Sequence, residues 1–587
     1  MTMASVADQD ARIGEPETKL AEPAEPSRWC SWRGGLRDAL AALAVLMVVN
    51  FAAGPAGFWS ADEAVSHQQV ELLAEGSWTL APPEPDIDPT GQWHSLSPIS
   101  LGEGVAAPYV KHPLFPALVR TGDVVAGRIG RHLIPAIGSV LAAFLIAVGA
   151  DRRRPGSARL SFWIAAFGTP LLFHGTTLWA HSLGIAAAAA ASLLAQPLFD
   201  SDRFRDRGPA TNGNRSALSH LLAITGFGVV AGLGVLLRSE AAIFFVLLGC
   251  CLGLFGLLGR RFLMVLVGVV AIAATLGAFL LDGVLRAAIL GPAGDVALAV
   301  PPEPLFDLSV RGALTWTWLV GSRPDLGLGR IVGMILLAVA AMSARGGSRL
   351  NLSPALGLIG GALYLPALLT GSTMAVFPAA PALLVGLLLL DRLDGFTKMV
   401  LTLSALHFTA VVATSYANGG GGDWGGRYLA LLLAPLAIVA LPEIWHHGTS
   451  TAGAANFRSA LNWPALTRPL FAGVVLASVA LAAAMSINVV ENRRNTGSLA
   501  EELAAEIAAE ASPEDLVVST DGRIGRLLGD TDVDARLLQV PGESMSELVA
   551  ALPPGTEFVI LDALQPFDVP DDWTVLAESE NLIRVRP

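Results

Sequence analysis

Two charged pairs stand out in a chain that is otherwise largely hydrocarbon. Asp62-Glu63 follows the first long apolar run, and Lys111-His112 comes just before the chain turns apolar again. Charged groups pinned to a membrane interface are costly to keep there, so they are the first place to look for chemistry. A carboxylate at such an interface, partly shielded from water, can act as general base toward a hydroxyl. It can also hold a cation. The same Asp-Glu pair suits the first turn of a helix, where it complements the helix dipole. The local sequence leaves these readings open. His112 precedes Pro113, so it reads either as a ligand or as an extended pre-proline loop residue.

The elements that must position these groups follow from composition. The chain has 587 residues, of which 53% are apolar and 15% charged, with a mean hydropathy of +0.56. Soluble domains carry roughly 25% charged residues. Repeated apolar runs of about 18 residues or more indicate a polytopic α-helical membrane protein. Only helices or closed barrels satisfy the backbone in lipid, and these runs are too long for barrel strands. Three cysteines, two of them adjacent in an apolar run (Cys250 and Cys251), exclude a disulfide framework. The net charge is −12, yet from Val490 onward there are 20 acidic and 7 basic residues, a net −13, so the remainder is nearly neutral. An acidic C-terminal segment excludes nucleic acid as a partner.

Residues 1–35 begin with an Ala-, Glu- and Pro-rich stretch without an apolar core and read as a disordered cytoplasmic tail. Thirteen spans are expected at about Leu36–Ala53, Leu133–Ala150, Leu160–Gly175, His181–Leu198, Leu218–Leu236, Ala241–Leu258, Phe262–Leu281, Arg330–Met342, Ala355–Leu369, Met374–Leu390, Met399–Tyr416, Tyr428–Trp445 and Leu470–Asn488. Arg and Lys recur on alternate connections, as in Asp151-Arg152-Arg153-Arg154, Arg260-Arg261 and Arg345 with Arg349. Basic connections mark the cytoplasmic side, so the chain reads as a multi-pass plasma-membrane protein with its N-terminus inside and its C-terminal domain outside. The membrane region is residues 36–489, with outer loops at 54–132 and 282–329. Within the first outer loop Ala64–Leu73 reads as a short helix, and Ala81–Pro89 cannot continue one. Residues 490–587 read as a small extracytoplasmic α/β domain, with a helix over Ser498–Ala511, strands at Asp515–Thr520, Glu557–Asp562 and Trp573–Arg586, and helical pieces at Ile524–Leu528 and Ser544–Leu552.

In this order and placement the chain resembles the GT-C superfamily of membrane glycosyltransferases, the group of protein O-mannosyltransferases and lipid A aminoarabinose transferases. These carry an acidic motif just after the first span, here Ala61-Asp62-Glu63-Ala64. Many also have a His-Pro-Pro-Leu-Tyr-like motif closing that loop, here Lys111-His112-Pro113-Leu114-Phe115-Pro116. Thr169–His181 is similar to their short outer hairpin, and Asp423-Trp424-Gly425-Gly426-Arg427-Tyr428-Leu429 resembles a Trp-Gly-x-Arg-Tyr segment of bacterial relatives. The resemblance implies a hexosyl- or pentosyltransferase of the cell envelope. It would move a sugar from a polyprenyl-phosphate donor to an extracytoplasmic glycan, lipid or protein acceptor. Asp62 would be the catalytic carboxylate, with Glu63 assisting or helping to bind a metal.

The leaving phosphate of such a reaction needs cations, for which Lys111, His112, Arg238 and Arg427 are the candidates. Arg238 reads equally as a partner of Glu240, and Arg427 as a snorkelling anchor. His174 and His181 stand in the short hairpin, where some members have a second functional Asp, and are candidate pocket residues. No cofactor is required by the sequence. The resemblance admits a divalent ion, but no ligand set for one is visible. The rival reading is a non-enzymatic polytopic protein, a lipid or solute transporter or an envelope-assembly scaffold. Transporters place charged sites near the bilayer midplane, whereas this chain keeps its charges at span ends.

Overall fold

The computed structural model describes residues 32–54, 57–79, 84–89, 91–93, 99–102, 105–107, 112–199, 213–290, 308–319, 328–345, 353–365, 376–391, 393–414, 427–449, 469–521, 527–528, 536–562, 567–579 and 581–587. Among them, eight helices are long and apolar enough to cross a membrane, so this is a multi-pass helical membrane protein. Of the other five expected spans, the fifth and eighth fall within the continuous helices Gly213–Leu237 and Leu328–Arg345, and the ninth and tenth run partly outside the described residues. The third is interrupted. A helix over Ala158–Phe167 (α5) stops at Gly168, and a second, Leu171–Thr176 (α6), restarts after Pro170. Proline lacks the N–H that a continuous helix would need there. Large apolar side chains such as Leu40, Val48, Phe51, Val269 and Leu280 point outward, as a hydrocarbon surround allows.

The Asp62 end of the bundle is built by α1 (Trp32–Ala53), α2 (Ala61–Ala74), α3 (Leu114–Arg131), α4 (Leu133–Arg153), the α5–α6 pair and α7 (His181–Ala195). Helix α2 starts at Ala61, three residues before the Ala64 expected from the sequence. Ser60 caps it, its side chain accepting from the Glu63 N–H, and Asp62 and Glu63 fill its first turn.

One helix dominates the far end of the chain. Pro469–Glu510 runs unbroken for 42 residues, or about 63 Å, roughly twice the hydrocarbon thickness. Its first half packs in the bundle through small residues. A Cβ on Gly473 would lie 1.9 Å from the Gly357 carbonyl oxygen, so only glycine permits that approach. Its second half supplies Leu503 and Ile507 to the core of the C-terminal domain.

After the two short paired strands of the first loop, β1 (Ile99–Gly102) and β2 (Val105–Ala107), the remaining strands, β3 (Leu516–Ser519), β4 (Arg536–Gln539), β5 (Phe558–Leu561), β6 (Thr574–Glu578) and β7 (Leu582–Arg586), make that domain a five-stranded sheet in the order β4-β3-β5-β7-β6. The central strands β3 (Leu516–Ser519) and β5 (Phe558–Leu561) are parallel, β4 (Arg536–Gln539) is parallel to β3, and β7 (Leu582–Arg586) runs antiparallel to both β5 and β6 (Thr574–Glu578). The expected Trp573–Arg586 strand is two strands, and the helix expected at Ser544–Leu552 is Met545–Ala551. Of the piece expected at Ile524–Leu528, residues 524–526 lie outside the described residues.

The first loop is part of this domain's core. Trp93 is buried with Leu538, Val540 and Phe558, and Ile87 packs beside it. The Asp88 carboxylate turns the chain there by accepting from the Gln92 and Trp93 N–H groups at 3.0 and 2.7 Å. The Gln539 N–H then donates to the Trp93 carbonyl at 2.6 Å, so the loop covers the β4 edge. Arg536 forks onto the Glu84 carboxylate beside it.

Candidate active site

The two adjacent carboxylates live in different worlds. Neighbouring residues on a helix point about 100° apart, and α2 turns Glu63 inward while Asp62 stays at the surface of the fold. The Glu63 side chain is 1% exposed. Its Oε2 accepts from the Trp59 N–H at 2.5 Å, and its Oε1 accepts from the Leu178 N–H and from Arg493 Nη2, both at 2.6 Å. Arg493 is itself fully buried. It also donates to Asn50 Oδ1 at 3.1 Å and to the Thr176 carbonyl. One guanidinium thus ties together the end of α1, the start of α2, the α6–α7 connection and the long last helix. The approach is so close that a Cβ on Gly57 would lie 1.7 Å from the Arg493 carbonyl oxygen. Only glycine fits there.

Asp62 pairs with Arg427, which follows directly on the Gly-rich stretch. Both side chains are partly exposed, at 19% and 18%. The Arg427 guanidinium lies over the Trp179 ring at 5.2 Å and near Tyr428 at 5.7 Å. Trp179 in turn packs against His181 at 4.9 Å, and His181 stacks on His174 at 4.8 Å with the rings nearly parallel. Both histidines are buried, and neither ring nitrogen of His174 has a hydrogen-bond partner among the described residues. Asp62, Arg427, Trp179, His181 and His174 therefore form one continuous wall.

Two of the remaining expected cations, Arg238 and His112, are engaged. Arg238 bonds Glu240 at 2.9 Å. His112 meets Asp282 at 3.0 Å, and Arg286 meets the same carboxylate oxygen at 3.0 Å. Lys111 and the Asp423–Gly426 part of the motif lie outside the described residues, as do residues 291–307 and 320–327 of the 282–329 loop.

Beside Glu63 sits a second polar knot that sequence reading does not single out. Arg131 bonds His67 Nδ1 at 2.9 Å, Glu71 at 3.2 Å and Asp123 at 2.8 Å. His67 lies 5.8 Å from His132, ring to ring. Burial, followed by the Arg131 and Arg493 charges, holds the His67 imidazole well below the usual histidine range. Burial and then Arg493 do the same to His132. Both rings are therefore neutral at pH 7.

With Asp62 held by Arg427 and Glu63 saturated by three donors, this pair of carboxylates does not fit a divalent ion. Among the described residues, one His/Asp/Glu trio comes within 4.8 Å of itself, namely Asp391, Glu443 and His447. It lies at the other end of the bundle, where Arg154 already donates to both Glu443 oxygens at 3.2 and 3.0 Å.

No family model and no curated protein sequence matches the chain. Among solved structures it is similar to ArnT from Cupriavidus metallidurans in the apo state, at 13% identity over 94% of this chain and 98% of that one, with a TM-score of 0.48. The same protein bound to undecaprenyl phosphate matches at 13% identity over 93% and 97%, with a TM-score of 0.48. The archaeal oligosaccharyltransferase AglB from Archaeoglobus fulgidus, in complex with an inhibitory peptide and a dolichol-phosphate, is similar at 15% identity over 86% of this chain and 64% of that one, with a TM-score of 0.42.

Proposed function

We propose that the chain is a GT-C membrane glycosyltransferase, moving a sugar from a polyprenyl-phosphate donor to an acceptor hydroxyl at the extracytoplasmic face. The observation that supports this most is the pairing of Asp62 with Arg427. The fold brings the first-loop carboxylate to a cation 365 residues away, against an aromatic wall and beside the Arg238 and His112 ion pairs. Base and anion-binding groups thus meet at span ends rather than at mid-membrane.

In the reaction, the Asp62 carboxylate takes the proton of the acceptor hydroxyl. The oxygen attacks the anomeric carbon as the bond from that carbon to the phosphate oxygen breaks, inverting the centre. The electron pair leaves with the polyprenyl phosphate. Arg427, released from Asp62 as that group is protonated, and Arg238 with His112, stabilise the departing phosphate. Lys111 belongs to the same set. Trp179 offers the sugar a flat apolar face, with His174 and His181 behind it. In this scheme Glu63 does not touch substrate. It holds α2 in place through Arg493, so the role expected of it as a second catalytic or metal-binding carboxylate passes to positioning.

The test is transfer of radiolabelled sugar from a panel of polyprenyl-phosphate sugars, in membranes containing wild type or Asp62→Asn. Wild type transfers, and the variant loses about 10²–10⁴-fold, the usual contribution of a general base. Equal transfer by both removes Asp62 from the mechanism.

A further inference from the structure

The Leu290 end of the Phe262–Leu290 helix carries a buried carboxylate with two cations on one oxygen. The Asp282 side chain is 2% exposed, and its Oδ2 lies 3.0 Å from His112 Nδ1 and 3.0 Å from Arg286 Nε. Arg286 stands one turn further along the same helix and is buried as well. Neither approach is an aligned hydrogen bond, so charge holds the trio together. A carboxylate taken out of water needs one opposite charge, and Arg286 supplies it at any working pH. His112 is not required for that balance. As an imidazolium it leaves the trio with one positive charge in excess.

The two nitrogens of His112 stand in different surroundings. Nδ1, which faces Asp282, is shut off from solvent. Nε2 remains accessible and has no hydrogen-bond partner among the described residues. The residue is anchored at the start of α3, where its carbonyl accepts from the Phe115 N–H at 3.3 Å. Phe115 packs in one cluster with Leu178 and Leu237, the residues just before Trp179 and Arg238. Glu240, the partner of Arg238, feels the charges of both His112 and Arg427. His112 therefore stands beside the wall that Asp62, Arg427 and Trp179 form, with one nitrogen tied back and the other open.

We propose that Asp282 is a positioning residue for the transfer reaction, holding His112 through Nδ1 so that its Nε2–H is presented to the phosphate of the polyprenyl donor. The identity of that anion rests on the transfer reading above. The carboxylate settles which ring nitrogen turns inward, as an outer carboxylate does for a metal-bound histidine. As an imidazolium the ring donates through both nitrogens. The donor phosphate carries one negative charge while it is bonded to the sugar and nearly two once that bond has broken. A hydrogen-bond donor fixed in place is therefore worth more in the transition state than before it. Arg286 balances Asp282, which leaves the charge of His112 for the phosphate.

The experiment takes two measurements on the full-length purified protein. One is transfer from the panel of polyprenyl-phosphate sugars. The other is retention of undecaprenyl phosphate, the leaving group, in nanodiscs by native mass spectrometry. Asp282→Asn is expected to lower kcat about 10–100-fold, the usual weight of a carboxylate behind a histidine ligand, with a smaller change in the donor KM. It is expected to weaken retention of undecaprenyl phosphate about ten-fold. Neither loss should deepen when Asp282→Asn is added to His112→Gln, because both substitutions remove the same donor. A purely structural Asp282 would instead add its loss to that of His112→Gln. If Asp282→Asn strands Arg286 and does not fold, the pair Asp282→Asn with Arg286→Met, which removes both charges together, takes its place with the same expectation. Wild type that retains undecaprenyl phosphate but transfers no sugar counts against the transfer reading alone, and the retention measurement then decides for Asp282. Retention unchanged in a folded Asp282 variant, losses that add to those of His112→Gln, or no retention by folded wild type overturns the proposal.

Discussion

Glu63→Gln and Asp62→Asn, one residue apart, should fail in opposite ways. Glu63 and Arg493 are 1% and 0% exposed. Removing one partner of a buried, hydrogen-bonded ion pair costs about 3–5 kcal/mol, because the surviving charge is stranded. Glutamine keeps one acceptor oxygen, which can serve Leu178 or Arg493. Its amide nitrogen must then face the Trp59 N–H, donor against donor. The expected loss is therefore about 3 kcal/mol or more. Asp62 and Arg427 are both nearly a fifth exposed, and a solvent-screened pair of that kind contributes about 0–1 kcal/mol. Reversible unfolding in mixed micelles, at constant denaturant slope, separates the two. Glu63→Gln loses stability and, where still folded, keeps measurable transfer; Asp62→Asn keeps stability and loses transfer. A double-mutant cycle adds a further check. Arg493→Met should cost less in the Glu63→Gln background than in wild type, because the stranded charge is already there to be removed. If Glu63→Gln is as stable as wild type and yet inactive, the assignment of Glu63 to positioning is wrong. The two carboxylates then act as a pair.

Acidification should destabilise the fold through His67 and His132. Their native pKa values are depressed, so the unfolded chain binds more protons once the pH falls below the ordinary histidine value of 6.5. Each ring held neutral then lowers stability by up to about 1.4 kcal/mol per pH unit, visible as a falling melting temperature between about pH 7 and about pH 5.5 and flattened in His67→Gln. Trp93→Ala removes a buried indole from the C-terminal core and should cost that domain about 3–5 kcal/mol, read as new protease sensitivity in β4 and the first loop with the membrane helices intact. Arg427→Lys keeps the charge but loses the planar face over Trp179, and should lower transfer about ten-fold with little change in stability.

How much of this was legible depends on the range of the interaction. The acid pair in the first turn of α2 is legible because its signal is local, although the helix begins at Ala61 rather than at the expected Ala64. Even the divergence of Asp62 and Glu63 follows from helical period, although composition alone treats them as one pair. Arg493 was not readable as a site residue. In Glu491-Asn492-Arg493-Arg494 it looks like any basic cluster past a span, and its partner is 430 residues away. The break at Gly168-Thr169-Pro170 was masked by uniform hydropathy, since an apolar run reads the same whether one helix or two carry it. Strand β4 was missed because Arg-Leu-Leu-Gln has no β-branched residue. Its place is set by β3 on one side and Trp93 on the other. Asp282 and His112 meet because the Phe262–Leu290 helix continues past its apolar run, which also places Asp282 and Arg286 one turn apart.

These long-range contacts close a circuit. From Asp62 the chain runs along α2 into the first loop, which enters the C-terminal domain at Glu84 and Trp93 and bonds the β4 edge. The domain's other sheet face rests on Leu503 and Ile507 of the long helix. Four turns back along that helix, Arg493 reaches Glu63, the residue after Asp62. A force on the sheet domain therefore has two rigid routes to the same helix turn, one through the loop and one through the guanidinium. The helical route is a continuous rod ending in a buried ion pair. Through Arg493 the last helix therefore helps to set the position of the turn that carries Asp62. That is why a carboxylate near the start of the sequence cannot be understood without an arginine near its end.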